Sequence, residues 1–238
     1  MKKKEVIKFL LIRTFGNFLV LLTIFGFSYT FGPAIYYEIN YQIQKSQGIR
    51  YEIANVNNAL ELNRFRSENN VPKTESLLAN KDVPNEKIMI PKSTEFGLVI
   101  PKIAANAVVF PNVDPANPAV YLPILKKGVA HASGSAFPGM NGTIYIFAHS
   151  TDNFWDVGRY NAVFFLLSEL KPGDDVIIFF QDRRYNYKVT ETKIVDPEET
   201  SYLFANIGKV EQVVLQTCWP PGTTLKRLLV IARPLHGN

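Results

Sequence analysis

EQVVLQTCWPPGTTLKRLLVIARP, residues 211–234, contains two strand-like apolar runs separated by a short turn. The first run ends at Cys218. The Trp-Pro-Pro-Gly sequence that follows must leave the strand, because proline lacks the backbone donor that a central ladder requires. The second run begins near Arg227, nine residues after the cysteine. A turn of this length lets the two runs pair as antiparallel neighbours. We therefore expect Arg227 to lie beside Cys218 at one end of a sheet.

Cys218 is the only cysteine among 238 residues, so a disulfide bond within the chain is excluded. A lone cysteine is usually a small buried hydrophobic residue without chemistry. The position of this one, at a strand end beside a proline-rich loop, instead favours an accessible thiol. A free thiol has a pKa of about 8.5 and needs a cationic or basic neighbour to react at neutral pH. We therefore expect a histidine and an arginine close to Cys218.

His149 ends the apolar run GTIYIFAH at residues 142–149 and so occupies the same kind of strand-end position. A histidine can carry a proton to a leaving amine. The guanidinium group of Arg227 can donate hydrogen bonds to the oxyanion of a tetrahedral intermediate. Arg233 is a competing candidate, but it lies farther along the strand by about 20 Å, at roughly 3.3 Å per residue. The sequence identifies no acid or amide to orient the histidine, so a protease-like triad is not supported.

Short apolar runs bounded by turns extend from residue 96 to residue 233. Six to eight of them fit into this part of the chain, and one helix is expected at Asn161–Leu170, where Lys-Pro-Gly ends it. Many short strands with few intervening helices are typical of an antiparallel barrel or sandwich. A doubly wound parallel sheet is disfavoured, because it needs a helix between most successive strands.

The amino-terminal segment has the composition of a membrane anchor. Five lysine or arginine side chains and one glutamate precede residue 14 and account for most of the formal net charge of +5. Phe15–Ile35 contains no charged side chain, and a helix of this length spans roughly 30 Å, the hydrocarbon thickness of a bilayer. The apolar core of a cleaved signal peptide would be shorter, about 7–15 residues. We expect an uncleaved anchor with a cytoplasmic amino terminus, according to the positive-inside rule.

The sequence divides into four predicted segments. They are a basic cytoplasmic segment at 1–14, a transmembrane anchor at 15–37, an extracytoplasmic linker or stalk at 38–90, and a catalytic domain at 91–238. The stalk is rich in Asn, Gln, Glu and Lys, and only Glu52–Phe65 is a candidate helix within it. Beyond the amino terminus the charge is nearly balanced, and no basic stripe alternates with aromatic residues. This pattern argues against a nucleic-acid-binding protein.

Two stretches of the chain resemble the sortase family. LQTCWPPGTTLKRLLVIARP is similar to the sortase signature, in which Thr-Cys ends a strand and an arginine opens the next. Residues 100–150 resemble the first half of a sortase domain: an IPKI strand, a Gly-Val-Ala-His element, a Pro-Gly turn and a strand that delivers a histidine. The resemblance runs from about residue 96 to residue 234. It implies a mainly β protein, a closed eight-stranded sortase-type β-barrel with one or two short helices, preceded by the transmembrane helix and stalk.

The resemblance also assigns roles to individual residues. Cys218 would be the nucleophile of a cysteine transpeptidase, His149 its general acid/base, and Arg227 the residue that stabilises the substrate and the oxyanion. Thr217 is a candidate substrate-binding residue. His131 matches a family histidine that is not catalytic, and we interpret it as structural.

The remaining parts of the site are less defined by the sequence. Pocket residues are expected within segments 104–135 and 196–210. No cofactor is expected, because the exchange of one amide for another needs neither ATP nor a redox group. A calcium ion on surface carboxylates occurs in some relatives, and nothing in this sequence specifically supports a metal site.

The implied substrates are secreted proteins with a carboxyl-terminal sorting signal of the LPxTG type. The acyl group would pass to an amine of a cell-wall peptide or a pilin lysine, outside the cytoplasm and at the membrane. Two alternatives from other classes stay open. One is an L,D-transpeptidase-like cell-wall cysteine enzyme, although the Ser-x-Gly-Cys context of that class is absent before Cys218. The other is a non-enzymatic barrel that binds a surface ligand.

Overall fold

The computed structural model describes residues 3–54, 63–64, 67, 78–80, 85–150, 163–203 and 208–235. The helices are α1 (Lys3–Ser46) and α2 (Pro118–Leu125). The strands are β1 (Arg50–Ile53), β2 (Leu78–Asn80), β3 (Glu86–Met89), β4 (Phe96–Ile100), β5 (Ala105–Val113), β6 (Val129–Ala132), β7 (Thr143–Phe147), β8 (Asp175–Phe180), β9 (Arg183–Val195), β10 (Gln212–Trp219) and β11 (Lys226–Pro234). Short 3-10 helices occur at Pro101–Ile103, Leu167–Glu169 and Ser201–Leu203.

Strands β4 to β11 close into a barrel in the order β10-β11-β9-β8-β4-β5-β6-β7, and β7 pairs back onto β10. The predicted closed barrel of eight strands is confirmed. Two of its pairs, β5 with β6 and β7 with β10, are parallel, so the barrel is mixed and not antiparallel throughout. The first of these pairs requires a connection that returns the chain to the same end of the barrel, and α2 lies within that connection.

Helix α2 is missing from the prediction made from sequence, although its start is readable. The side-chain oxygen of Asn117 accepts a hydrogen bond of 3.1 Å from the backbone of Ala119, and Pro118 occupies the first turn. The helix has only eight residues, with Pro123 inside it. Its apolar pattern is therefore too short to indicate a helical period.

The helix predicted at Asn161–Leu170 is wrong for the part of it that the structure describes. Residues 163–166 form turns, and a single 3-10 turn follows at Leu167–Glu169. The first two residues of the predicted helix lie outside the described residues. Three buried apolar side chains recur here every third residue, which is the period of a 3-10 helix: Phe164, Leu167 and Leu170.

Side chains on the two faces of the barrel wall form separate apolar clusters. The inner cluster takes residues from all eight strands, Leu215 of β10 among them. The outer cluster includes Val214 of β10, Tyr145 of β7 and residues of α2 that pack over them. Because successive side chains on a strand point to opposite faces, Gln216 and Cys218 share the outer face with Val214. The cysteine therefore lies on the outside of the barrel wall.

Part of the predicted stalk packs against the barrel. Tyr41, near the end of α1, is only 7% exposed and belongs to the inner apolar cluster. Burial, reinforced by the neighbouring Glu169 carboxylate, raises the pKa of Tyr41 to about 12. The Nζ atom of Lys45 lies 3.7 Å from the same carboxylate. The end of α1 is thus held to the barrel by apolar packing and by charge.

Strands β1, β2 and β3 form a small separate sheet next to the barrel. Tyr51 and Ile53 of β1 pack beside buried residues of β4 and β8. The candidate helix at Glu52–Phe65 is wrong at its start, because Glu52 and Ile53 belong to β1. Residues 63 and 64 are helical, and 55–62 lie outside the described residues. The division of the chain into four segments stays a prediction.

His131 on β6 is fully buried, and both of its ring nitrogens are engaged. Its Nδ1 accepts from the backbone N–H of Asn112 at 3.4 Å, and its Nε2 lies 2.9 Å from both the Ala136 carbonyl oxygen and the Ser135 hydroxyl. This pattern fixes the neutral tautomer with the proton on Nε2. Burial lowers the pKa of His131, while the hydrogen bond to Ala136 opposes that shift.

We expect His131 in the folded protein to titrate below its ordinary pKa of about 6.5. The unfolded chain then binds the proton more readily than the folded one. The stability that neutral His131 contributes is therefore present above pH ~6.5 and is lost as the pH falls through the lowered pKa. An NMR titration of the histidine rings measures this, with signals assigned from His149→Gln and His236→Gln. A ring pKa at or above the ordinary value for His131 contradicts the prediction.

Candidate active site

Two residues predicted from sequence lie opposite each other on adjacent strands, and the third follows the end of the strand on the other side. Cys218 on β10 pairs directly with Arg227 on β11. On the other side, β10 pairs in parallel with β7, with Gln216 opposite Phe147. Continuing that register by two residues brings His149 opposite Cys218. Neighbouring strands are about 4.8 Å apart, so the imidazole, the thiol and the guanidinium group belong to one stretch of the barrel wall.

Two hydrogen bonds hold the chain that carries His149 after β7 has ended. The backbone N–H of Ala148 donates to the carbonyl oxygen of Gln216 at 3.1 Å. The Thr217 hydroxyl donates to the carbonyl oxygen of Ala148, also at 3.1 Å. Thr217 is buried and points to the face opposite Cys218, so it does not line the cleft described below. Its contact with substrate stays a prediction, and its position shows instead how it steadies the residue before His149.

Cys218, His149 and Arg227 all line one cleft of about 530 Å³. Helix α2 contributes one side of the cleft, and the connection between β9 and β10 contributes another. Both fall within the segments in which pocket residues were expected. The side chains concerned are Tyr121, Leu122 and Leu125 of α2, and Pro197 and Thr200 of the connection.

The guanidinium group of Arg227 is held by its own turn. Its Nη1 donates to the carbonyl oxygens of Thr224 and Lys226, each at 3.1 Å. A guanidinium has five N–H donors, so donors remain for a ligand in the cleft. Arg233 is exposed, pairs with Lys188 on β9 and does not line the cleft. Of the two arginine candidates, Arg227 is the one that lies beside the thiol.

Tyr145 and Gln216 are cleft residues that the sequence reasoning missed. Tyr145 is only 3% exposed, and its hydroxyl donates a short hydrogen bond to Oε1 of Gln216. Burial raises the pKa of Tyr145 well above its usual range, although the positive charge of Arg227 acts in the opposite direction. The phenol is therefore a protonated donor at neutral pH. Strand periodicity provides the signal that finds it, since Tyr145, Phe147 and His149 alternate onto one face.

Within the described ranges, no group of three or more His, Cys, Asp or Glu side chains is arranged to hold a metal ion. The fully buried His131 does not line the cleft. That the chemistry needs no cofactor stays a prediction.

Comparison with known proteins gives the same family from sequence and from structure. The family model described as the sortase domain matches residues 98–235. Sortase D of Bacillus subtilis (strain 168) is 30% identical over 139 residues, which cover 57% of this chain and 61% of that relative. The chain thus spans less than two thirds of the length of this curated relative.

Solved structures resemble the barrel. Sortase C-1 from Actinomyces oris is 26% identical, with a TM-score of 0.51 over 60% of this chain and 74% of that one. A lid mutant of sortase A from Corynebacterium diphtheriae is 24% identical, with a TM-score of 0.50 over 88% and 93% of the two chains, a likeness of fold. Since the family model matches more than half of its residues, this chain belongs to the sortase family.

Proposed function

We propose that this protein is a cysteine transpeptidase that cleaves an LPxTG-like sorting signal near the carboxyl terminus of secreted proteins. The acyl group passes through a thioester on Cys218 to an amine of a cell-wall peptide or a pilin lysine. The observation that carries the proposal is the cross-strand pairing of Cys218 with Arg227 in a cleft that His149 also lines. Membership of the sortase family favours it over an L,D-transpeptidase-like enzyme and over a non-enzymatic barrel.

In the first half of the reaction, the Cys218 thiolate attacks the carbonyl carbon of the residue before the glycine of the signal. A C–S bond forms, and the carbonyl oxygen becomes an oxyanion that accepts hydrogen bonds from Arg227. A donor of this kind is typically worth about 2.7–4 kcal/mol in the transition state. When the intermediate collapses, the C–N bond breaks and protonated His149 gives its proton to the departing amine. The products are a thioester and the released carboxyl-terminal fragment.

In the second half, an acceptor amine attacks the thioester carbonyl. His149, now neutral, removes the proton from the attacking nitrogen. The C–S bond breaks and the thiolate of Cys218 is restored. One amide has been exchanged for another, so the reaction consumes no external energy source.

We also propose that α1 anchors the enzyme in the membrane, with residues 1–14 in the cytoplasm and both the stalk and the barrel outside. The helix contains a candidate membrane span within Lys4–Tyr29, and from Phe15 onward this stretch carries no charged side chain. This span overlaps the anchor expected at 15–37. Anchoring would raise the effective concentration of secreted substrates at the cleft as they emerge.

Replacing Cys218 with alanine should abolish thioester formation, because no other thiol is present in the chain. Intact-mass spectrometry after incubation with a library of sorting-signal peptides detects the acyl adduct on the wild-type protein. With an added amine, the wild-type product should shift from the hydrolysed acid to the new amide. The half-buried position at a strand end predicts little change in melting temperature. Acyl transfer that persists in Cys218→Ala disproves the assignment of the nucleophile.

Arg227→Ala should lower kcat by about 100- to 1,000-fold, the loss typical of one oxyanion donor. Arg233→Ala is the matched control, because it removes the same group from an exposed position on the same strand and should stay near wild type. Steady-state transfer of a fluorogenic peptide to an amine measures both variants. If the two results were exchanged, Arg233 would be the stabilising residue.

The single cysteine also reports membrane topology. A maleimide that cannot cross membranes should label Cys218 in intact cells, because the half-buried thiol lines an open cleft outside the membrane. The control carries Lys2→Cys together with Cys218→Ala and should be labelled only after permeabilisation. The opposite pattern of labelling would show that the barrel is cytoplasmic.

A further inference from the structure

The cleft contains one polar pair that the catalytic steps above do not use. Gln216 is half-buried and lines the cleft, and the hydroxyl of Tyr145 donates to its Oε1 from within the barrel wall. Apolar side chains surround the pair, among them Phe147 and Leu125. Covering a half-buried amide in such surroundings with an apolar ligand is unfavourable, because the amide then loses its hydrogen bonds to water. The cost is avoided if the ligand satisfies the hydrogen-bonding groups of the amide.

Resting on the proposed function, we propose that Gln216 donates a hydrogen bond from its side-chain amide nitrogen to a carbonyl oxygen of the acyl-donor peptide, and that Tyr145 is the positioning residue that orients this amide. The pair thus determines part of the specificity for the donor peptide.

Strand geometry places the contact along the donor peptide. Gln216 precedes Cys218 by two residues and shares its face of β10, so the two side chains start about 7 Å apart. An extended peptide rises by a similar distance over two residues. A peptide that runs beside β10, with its scissile carbonyl at the thiol, therefore presents to Gln216 the residue two positions before the one that carries the scissile carbonyl, which is the proline of an LPxTG-like signal.

The hydrogen bond from Tyr145 determines which end of the amide faces this peptide. Since the phenol donates to Oε1, the Nε2 group with its two N–H donors is left for another partner. No residue in the described part of the chain accepts a hydrogen bond from this nitrogen. The raised pKa of Tyr145 keeps the phenol a donor across neutral pH. A donor peptide with a carbonyl oxygen at this point satisfies the amide, and one without it leaves the amide unpaired.

Three substitutions separate a substrate contact from a structural role. Gln216→Met keeps the side-chain volume and removes the amide. Gln216→Glu keeps an acceptor for Tyr145 and removes both donors. Tyr145→Phe keeps the ring and removes the hydroxyl. The rate of thioester formation in the full-length protein, followed by quenched intact-mass spectrometry over a series of peptide concentrations, gives kcat/KM for acylation.

We expect Gln216→Met and Gln216→Glu each to lower kcat/KM for acylation about tenfold, the value of one neutral hydrogen bond. Tyr145→Phe should lower kcat/KM for acylation by a smaller factor. When Gln216→Met is already present, adding Tyr145→Phe should cause no further decrease. The inference is overturned if Gln216→Glu acylates like wild type, because Gln216 would then serve only as an acceptor. It is also overturned if Tyr145→Phe lowers kcat/KM for acylation by the same factor with and without Gln216→Met.

Two modified donor peptides show whether Gln216 contacts a main-chain or a side-chain carbonyl of the donor. In one, a thioamide replaces the main-chain carbonyl of the residue two positions before the one with the scissile carbonyl and weakens it as an acceptor. In the other, the variable residue of the signal, between that proline and the residue with the scissile carbonyl, is changed from one with a side-chain carbonyl to an apolar one. If Gln216 contacts the main chain, the thioamide should lower kcat/KM for acylation in wild type but not in Gln216→Met. If it contacts the side chain, the second peptide should show that difference between the two proteins. Equal sensitivity of both proteins to both peptides overturns the inference.

Tyr187→Phe is the matched control for the phenol. Tyr187 is buried on β9 and donates a 2.6 Å hydrogen bond to Glu211, away from the cleft. Its removal should leave acylation unchanged even where it lowers the melting temperature. If wild type forms no thioester with any peptide, both the proposed function and this inference fail. If wild type and Gln216→Met acylate equally, only this inference fails.

Discussion

The parallel pairing of β7 with β10 is the interaction on which the rest of the structure depends. It closes the barrel, and it also carries the chain that leads to His149 alongside β10, whose Cys218 lines the same cleft. A slip of one residue would move every side chain of the strand to the other face, which would put the thiol inside the barrel. The register is secured from both sides of the wall, since the inner and outer apolar clusters each take alternate residues of these strands.

Side chains alternate between the two faces of β10, so the consecutive residues Thr217 and Cys218 face opposite sides of the barrel wall. Thr217 faces inward and binds the Ala148 carbonyl, so it fixes the chain that leads to His149. Cys218 faces outward into the cleft. The packed inner face thus holds the thiol on the outer face within a narrow range of positions, as the proposed catalysis requires.

The sequence predicts those features that depend on local pairing. Cys218 and Arg227 face each other across one turn, so their proximity follows from strand ends that are visible in the sequence. The parallel pairs and α2 depend on contacts between distant segments, which strand periodicity does not report. The segment around Leu167 was expected to be helical, yet its buried apolar residues recur every third position, a spacing that suits a 3-10 turn. Tyr145 was readable as an outward-facing residue, but its hydrogen bond to Gln216 required the register of β7 against β10.

The packing of Tyr41 against the barrel bears on the distance between the cleft and the membrane. From residue 38, where the proposed anchor has ended, to Ser46, α1 continues as a helix and rises by about 13 Å at 1.5 Å per residue. Because the end of this helical segment is packed against the barrel, it acts as a spacer of fixed length and not as a flexible linker. Under the proposed anchorage, the cleft would lie at a nearly constant distance from the membrane surface, and a substrate would have to bring its sorting signal to that distance.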